Sequence, residues 1–319
     1  MKLKCAIIDD FQNVALSMAD WSLLRDRVEV FSLSQHISDE QELADRIGDC
    51  EIVIIMRERT PFTGSLLTKL PKLKLLITSG MRNAAIDVKA ATAQGVTVCG
   101  TPSGSEPPME LTWALILGLA RHIVPENNAF RQNGAWQSTV GVTLSGKRLG
   151  LLGLGKIGGR VAQVAKAFGM EVSAWSQNLT TERASEVGVE LAPSKEALLE
   201  SSDFVSIHLV LGERSRGLIG EAELNRMKSK AFLINTSRAA IVDQKALIDA
   251  LSHQRIAGAG LDVFEIEPLP EGDILRTLPN VLATPHLGYV SDSNYQGYFQ
   301  GAVEDILAYL AEKPIRQLS

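Results

Sequence analysis

The chain has 319 residues, a net charge of −5, 45% hydrophobic and 22% charged residues. This is the composition of a folded globular protein with room for two domains of ordinary size. It lacks the basic footprint of a nucleic-acid binder, and its most apolar stretch, LTWALILGLA (111–120), is shorter than the roughly 20 residues of a membrane span.

The start, MKLKCAIIDD, is too short and acidic for a signal peptide. Cys5, Cys50 and Cys99 lie far apart without metal-ligand spacing, so buried, reduced thiols in a cytoplasmic, metal-free protein are expected. CAIID (5–9) reads as a strand. SDEQELADRIG (38–48) reads as a helix opened by Ser38 and Gln41 at capping-box spacing. EIVIIM (51–56) and KLKLLIT (72–78) are strands without alternation, as expected when both faces are buried. A helix over 85–94 and the strand VTVCG close a first α/β unit.

A helix around 106–123, with Pro107 and Pro108 suited to its first turn, is expected to run between domains. Then GKRLGLLGLGKIGGRVAQVAKAFGMEVSAW (146–175) reads as strand, turn, helix, strand. Further strands follow at DFVSIHL, AFLINT, AGAGLDV and NVLATP, and a helical tail after His286 is expected to cross back to the first unit. Regular βα alternation predicts doubly wound parallel sheets. The expected division is a substrate domain of residues 1–100 and 287–319, flavodoxin-like, with a Rossmann cofactor domain of residues 101–286 inserted in it.

Gly153, Gly155 and Gly158 form G-x-G-x-x-G between a strand and a helix. The first glycine permits the tight turn, the second lets backbone approach a pyrophosphate, and the third lets helix and strand pack closely. Lys156 and Ile157 open the helix, whose N-terminus suits phosphate. An acidic residue is expected about 20 positions on to hold a ribose. The strand tip instead presents Ser176 and Gln177, then Asn178 and Thr180, with Arg183 the nearest cation. NAD(H) or NADP(H) is therefore expected as cofactor, with a lean to NADP or dual use.

Arg238, Asp262, Glu267 and His286 all follow buried strands, where open α/β sheets bind ligands. An arginine fork suits a carboxylate, a histidine suits proton donation to a carbonyl, and a carboxylate beside it steadies the imidazolium. That set suits hydride transfer to a 2-oxo acid.

The segments SGKRLGLLGLGKIG, SDFVSIHLVLGERSRGLIG, FLINTSRAAIVD, GAGLDVFEIEPLP and TPHLGY resemble the D-isomer-specific 2-hydroxyacid dehydrogenases, a family that includes phosphoglycerate dehydrogenases and glyoxylate/hydroxypyruvate reductases. The resemblance runs along nearly the whole chain. It implies a reversible NAD(P)-dependent oxidoreductase of the CH–OH group with catalytic Arg238, Glu267 and His286, and with Asp262 supporting the site from the cofactor side. It places Thr236 and Ser237 by the nicotinamide ribose. It assigns the substrate to Ser79, Gly80, Arg238 and His286, the carboxylate meeting Arg238 and the amides of the 78–81 loop. It also implies a homodimer paired through the cofactor domains.

The family's G-x-G-x-D-N-I-D loop reads TSGMRNAAID here, so Arg82 takes a glycine position and Ala84 the aspartate position. Arg82 is expected to meet a second anionic or hydroxylated group, or else to face solvent or pair with Asp87. H-x-P-L reads His208-Leu209-Val210-Leu211, with His208 structural. Glu110 is read as structural, Trp136 and Tyr289 border the substrate pocket or, for Trp136, pack between subunits, and His36, His122 and His253 receive no functional reading. Two alternatives share the fold: an NAD(H)-sensing regulatory binding protein, and a formate or phosphite oxidoreductase, which the residue set does not support.

Overall fold

The computed structural model describes residues 2–318. The chain divides into two compact units. One joins the chain up to Gly104 with the chain from Ser291 onward, and the other is Ser105–Val290.

The first unit runs β1 (Leu3–Ile7), β2 (Val28–Ser32), α1 (Glu40–Ile47), β3 (Ile52–Ile55), α2 (Gly64–Thr68), β4 (Leu75–Thr78), α3 (Val88–Ala93) and β5 (Thr97–Gly100). Its strands pair in parallel in the order β2-β1-β3-β4-β5, the flavodoxin-like order. β3 and β4 are buried at every position. Their apolar runs have no polar face because Leu43, Ile47, Leu66 and Leu67 of α1 and α2 join Val53, Ile55 and Leu76 in one core. Each such Leu or Ile contributes about 1.5–3 kcal/mol by leaving water.

The second unit runs α4 (Glu106–Ala120), α5 (Ile123–Arg131), β6 (Arg148–Leu152), α6 (Lys156–Ala167), β7 (Glu171–Trp175), α7 (Thr181–Val187), β8 (Glu190–Leu191), α8 (Lys195–Ser201), β9 (Phe204–Ile207), α9 (Glu221–Arg226), β10 (Phe232–Asn235), α10 (Gln244–Ser252), β11 (Gly258–Leu261) and β12 (Val281–Ala283). The parallel order β12-β11-β10-β9-β6-β7-β8 is the Rossmann order with one strand added. The chain then returns to the first unit as α11 (Asp292–Leu310), which packs on β4.

Several elements differ in detail from their sequence signals. α1 is capped by Asp39, whose carboxylate accepts from Glu42 N at 2.8 Å, and not by Ser38. An aspartate three residues before that amide outcompetes the serine one step earlier. α4, expected as a joining helix, is part of the second unit: Trp113, Leu115, Ile116 and Leu119 bury it in that unit's core, against α6, β10 and β11. It ends at Ala120 because His122 turns left-handed, φ +50°. β2 and β8 were not expected. β2 is an edge strand with only Val28 buried, and β8 has two residues, so neither carries an apolar run.

Candidate active site

The glycine turn has the form its spacing requires. Gly153 sits at φ +104°, and a Cβ there would lie 2.7 Å from His208 O. A Cβ on Gly158 would lie 2.2 Å from Gly153 O, so helix and turn meet with no room for a side chain. At Gly155 the reverse holds: an added Cβ meets nothing within 4 Å, and Gly155 itself is exposed. Gly155 is also the N-cap of the twelve-residue α6, with no side chain bonded to the helix end. Close packing at two glycines and open space before bare helix amides at the third fit a dinucleotide pyrophosphate. Exposed Lys156 and half-buried Ile157 form the first turn.

β7 ends at Trp175, whose carbonyl accepts from Gly153 N at 2.9 Å and ties the strand tip to the turn. Half-buried Ser176 and exposed Gln177 follow. Arg183 on α7 reaches back: its Nε donates to Leu154 O at 3.4 Å and its Nη1 pairs with Glu186 at 3.1 Å. Sequence spacing made Arg183 only the nearest cation; the fold lays its guanidinium on the glycine turn.

Three adjacent strands, β10, β11 and β12, deliver Arg238, Asp262 and His286 past their carboxyl ends. His286 Nδ1 lies 2.7 Å from Glu267 Oε2, while Glu267 Oε1 accepts from Phe264 N at 2.8 Å. The carboxylate is thus fixed by backbone on one oxygen and orients the imidazole with the other. Both side chains are largely buried, 15% and 19% exposed, which strengthens the pair. Buried Tyr289 stands edge-on to the imidazole, ring centres 5.5 Å apart.

Asp262, fully buried, accepts from Thr284 Oγ1 (2.6 Å), Leu287 N (2.6 Å) and Gly288 N (2.8 Å). These bonds hold the turn on which His286 takes φ +53°. Burial raises the Asp262 carboxyl above the usual range, opposed by these hydrogen bonds and by His286. Its hydrogen bonds to Thr284, Leu287 and Gly288 brace the residues on either side of His286. Asn235 shapes the arginine loop, its Nδ2 donating to Arg238 O at 3.0 Å and its Oδ1 accepting from Ser237 N at 3.0 Å. Arg238 Nη1 donates to Ser237 O at 2.8 Å, and Thr236 Oγ1 lies 2.8 Å from Thr112 Oγ1. Asn235 lies within FLINTSRAAIVD without a role of its own being read, whereas Thr112 carried no motif and only folding brings it to the loop.

In the first unit the 78–81 loop differs from expectation. Ser79 N donates to Ile55 O (3.1 Å) and Gly80 N to Thr101 Oγ1 (3.1 Å), so neither amide waits for a carboxylate. Arg57 fills the place beside them. Its Nη1 donates to Ser79 O at 3.1 Å, and a Cβ on Gly80, φ +88°, would lie 2.0 Å from that nitrogen. Arg82 is exposed, and Asp87 caps α3 through Ala90 N.

His208 is structural, its Nε2 2.9 Å from Ser206 Oγ, and burial pushes its imidazole down to about 4. Glu110 is exposed. The three cysteines are buried and form no disulfide with one another. Among the described residues no His, Cys, Asp or Glu cluster could hold a metal, and no helix is long and apolar enough to cross a membrane.

Comparison with known proteins agrees with this geometry. Residues 113–288 match the family model described as "D-isomer specific 2-hydroxyacid dehydrogenase, NAD binding domain". A glyoxylate reductase of Korarchaeum cryptofilum is 37% identical over 274 residues, 84% of this chain and 82% of the relative. A D-3-phosphoglycerate dehydrogenase of Methanocaldococcus jannaschii is 38% identical over 252 residues, 78% of this chain but 48% of the longer relative. The crystal structure of a phosphoglycerate oxidoreductase from Vibrio cholerae superposes with a TM-score of 0.92 at 37% identity, covering 97% of this chain and 99% of that one. Such relatives are nicotinamide-linked oxidoreductases of the CH–OH group, which disfavours a purely regulatory binding protein. The chain therefore belongs to the D-isomer-specific 2-hydroxyacid dehydrogenase family.

Proposed function

We propose that Arg238, Glu267 and His286 carry a reversible hydride transfer at C2 of a small 2-oxo or 2-hydroxy acid, with reduction the direction to assay first. The Glu267–His286 pair at 2.7 Å carries this reading. Arg238 holds the substrate carboxylate through its planar fork. With Nδ1 engaged by Glu267, Nε2 of His286 moves the proton to and from the C2 oxygen. Glu267 offsets the imidazolium charge as the acid of a triad does. Asp262 holds the turn that aims the ring. Bound nicotinamide supplies or accepts the hydride. Gly153, Gly155, Lys156, Ile157 and Gly158 hold its pyrophosphate, and Ser176, Gln177, Thr236 and Ser237 line its riboses.

NADP or dual cofactor use is assigned because Ser176 and Gln177 replace the carboxylate that would repel a 2′-phosphate, and because Arg183 lies on the glycine turn. The 57–60 and 80–83 loops select the substrate, with exposed Arg82 assigned to a second anionic group. Ser79 and Gly80 shape that loop. The second unit is the cofactor domain and the first the substrate domain.

A homodimer through the cofactor domain accounts for α5, which buries no residue of its own. Phe130, Trp136 and Val140 beside it are 68%, 79% and 93% exposed, an apolar strip too large for an ordinary solvated face.

Paired kinetics with NADH and NADPH against glyoxylate, hydroxypyruvate, pyruvate and a longer 2-oxo acid test the reading. No turnover with any pair rejects the enzyme assignment. A preference for NADH above about tenfold, roughly 1.4 kcal/mol, rejects the cofactor assignment.

A further inference from the structure

In the five-stranded sheet the chain reverses direction of winding between β1 and β3, and open α/β sheets bind ligands outside the carboxyl ends of strands at such a point. Three loops meet there on one carboxylate. Asp9, just past β1, is 2% exposed and left-handed at φ +60°. Its Oδ1 lies 2.8 Å from Nδ1 of His36, from the loop after β2. Its Oδ2 accepts from Thr60 Oγ1 at 2.7 Å, from the loop after β3.

Thr60 ends the 57–60 loop, and the start of that loop is fastened elsewhere. Arg57 N donates to Ser79 Oγ at 2.8 Å, Arg57 O accepts from Asn83 Nδ2 at 2.6 Å, and the guanidinium lies against Gly80. Arg57 is itself left-handed, φ +53°. The segment between β3 and α2 is therefore held at one end by the 79–83 loop and at the other by the His36–Asp9 pair. Two non-glycine residues in the left-handed region persist only where surroundings over-determine them, and such strain clusters where ligands are clamped. A histidine kept merely to fill the core would be better replaced by an apolar side chain, since a buried charged pair returns little net stability.

We propose that His36 and Asp9 are positioning residues for substrate: by holding Thr60 they keep Arg57 against Gly80, and so set the affinity for the 2-oxo acid without setting the rate of hydride transfer. This rests on the assignment of the 57–60 and 80–83 loops to the substrate. The His36 side chain is 16% exposed, so it exchanges protons with solvent. The Asp9 hydrogen bond raises its pKa above 6.5, against opposition from burial and from Arg59. Asp10 turns away, its carboxylate taken by Val14 N and Ala15 N. The charged pair is thus complete on the acid side and is lost as pH rises through the raised His36 pKa, so KM climbs with pH.

The test uses the full chain with hydroxypyruvate as substrate, and NADH binding followed by nicotinamide fluorescence. His36→Ala removes the pair; Thr60→Val removes the link from Asp9 to the loop and serves if His36→Ala fails to fold. Each raises KM at least about fivefold, with kcat and the NADH Kd within about twofold. His36→Asn keeps a donor near Nδ1 without a titrating charge; it restores KM at pH 7 and abolishes its rise with pH. Unchanged KM in folded variants overturns the proposal, and so does a rise in KM joined by a fall in kcat and a rise in NADH Kd, which marks a general structural role. If the wild type turns over no 2-oxo acid, the substrate assignment fails by itself. Amide exchange of residues 57–60 and 79–83 then decides positioning: faster exchange in His36→Ala and Thr60→Val supports it, and unchanged protection overturns it.

Discussion

Glu267→Gln gives a sharp test of the proposed chemistry because both carboxylate oxygens have assigned work. Oε1 accepts the Phe264 amide at 2.8 Å, and Oε2 faces His286 Nδ1 at 2.7 Å. In the variant the backbone amide demands the carbonyl oxygen, which turns the new NH2 toward His286. Nδ1 must then accept rather than donate, so the side chain favours the neutral ring over the imidazolium. The opposite amide rotamer sets two donors against each other at Phe264 and is no cheaper. A hydrogen bond to a charged group contributes about 1.5–3 kcal/mol net. If that stabilises the protonated ring needed for reduction, kcat/KM falls by roughly 10- to 150-fold. The assay is steady-state reduction of hydroxypyruvate at pH 7, beside a fluorescence titration of the cofactor. The cofactor Kd stays within about twofold, since the substituted oxygen serves the histidine. A kcat/KM within about twofold of wild type would refute the reasoning.

Four further outcomes are expected. Arg238→Lys loses most turnover, since a point charge does not replace the bidentate fork, while cofactor titration is unchanged; retained kcat/KM rejects its role. Gly155→Ala, whose added Cβ enters open space, weakens cofactor binding with little change in Tm, whereas Gly158→Ala, 2.2 Å from Gly153 O, lowers Tm as well; equal effects in both properties reject the cradle. Arg82→Ala raises KM for a 2-oxo dicarboxylate but not for glyoxylate; equal changes reject a second-anion contact. His208, held neutral with its imidazole at about 4, contributes stability that is complete above the unfolded value of about 6.5 and lost as pH falls toward 4, on the order of 3 kcal/mol before allowance for its partial exposure. Urea unfolding of wild type and His208→Gln at pH 7.5 and 4.5 checks this, and parallel slopes reject it.

What was legible in the sequence followed from how local the signal was. The glycine turn declares itself within six residues because Gly153 and Gly158 leave no room for a side chain and Gly155 leaves open space before the helix end. β3 and β4 declare themselves because strands covered on both faces contain little but apolar residues. β2 stayed hidden because an edge strand with one buried residue has no such run. Glu267 and His286 are 19 residues apart and are singled out by their places after buried strands and then by motif resemblance; their mutual distance comes from the fold. His36 had no readable role because its partner lies 27 residues away and Thr60 lies 51 beyond Asp9. Nor did anything in the sequence show that Arg57 would lie on Gly80 or Arg183 on the glycine turn. Long flexible side chains are placed by packing, which no short pattern records.

The first unit is built from two stretches of chain separated by Ser105–Val290. Where the chain leaves it and where it returns lie side by side, since Gly104 N donates to Asn294 Oδ1 at 2.9 Å. To the first unit, a folded insert is a short staple across that gap, but an unfolded one is a slack tether. Loop-closure entropy grows with the logarithm of length, so melting the insert costs the outer unit on the order of 3 kcal/mol. A chain with the insert excised and a few glycines in its place would keep the staple permanently. It should refold faster than the parent chain, whose first unit has to close over the whole unfolded insert.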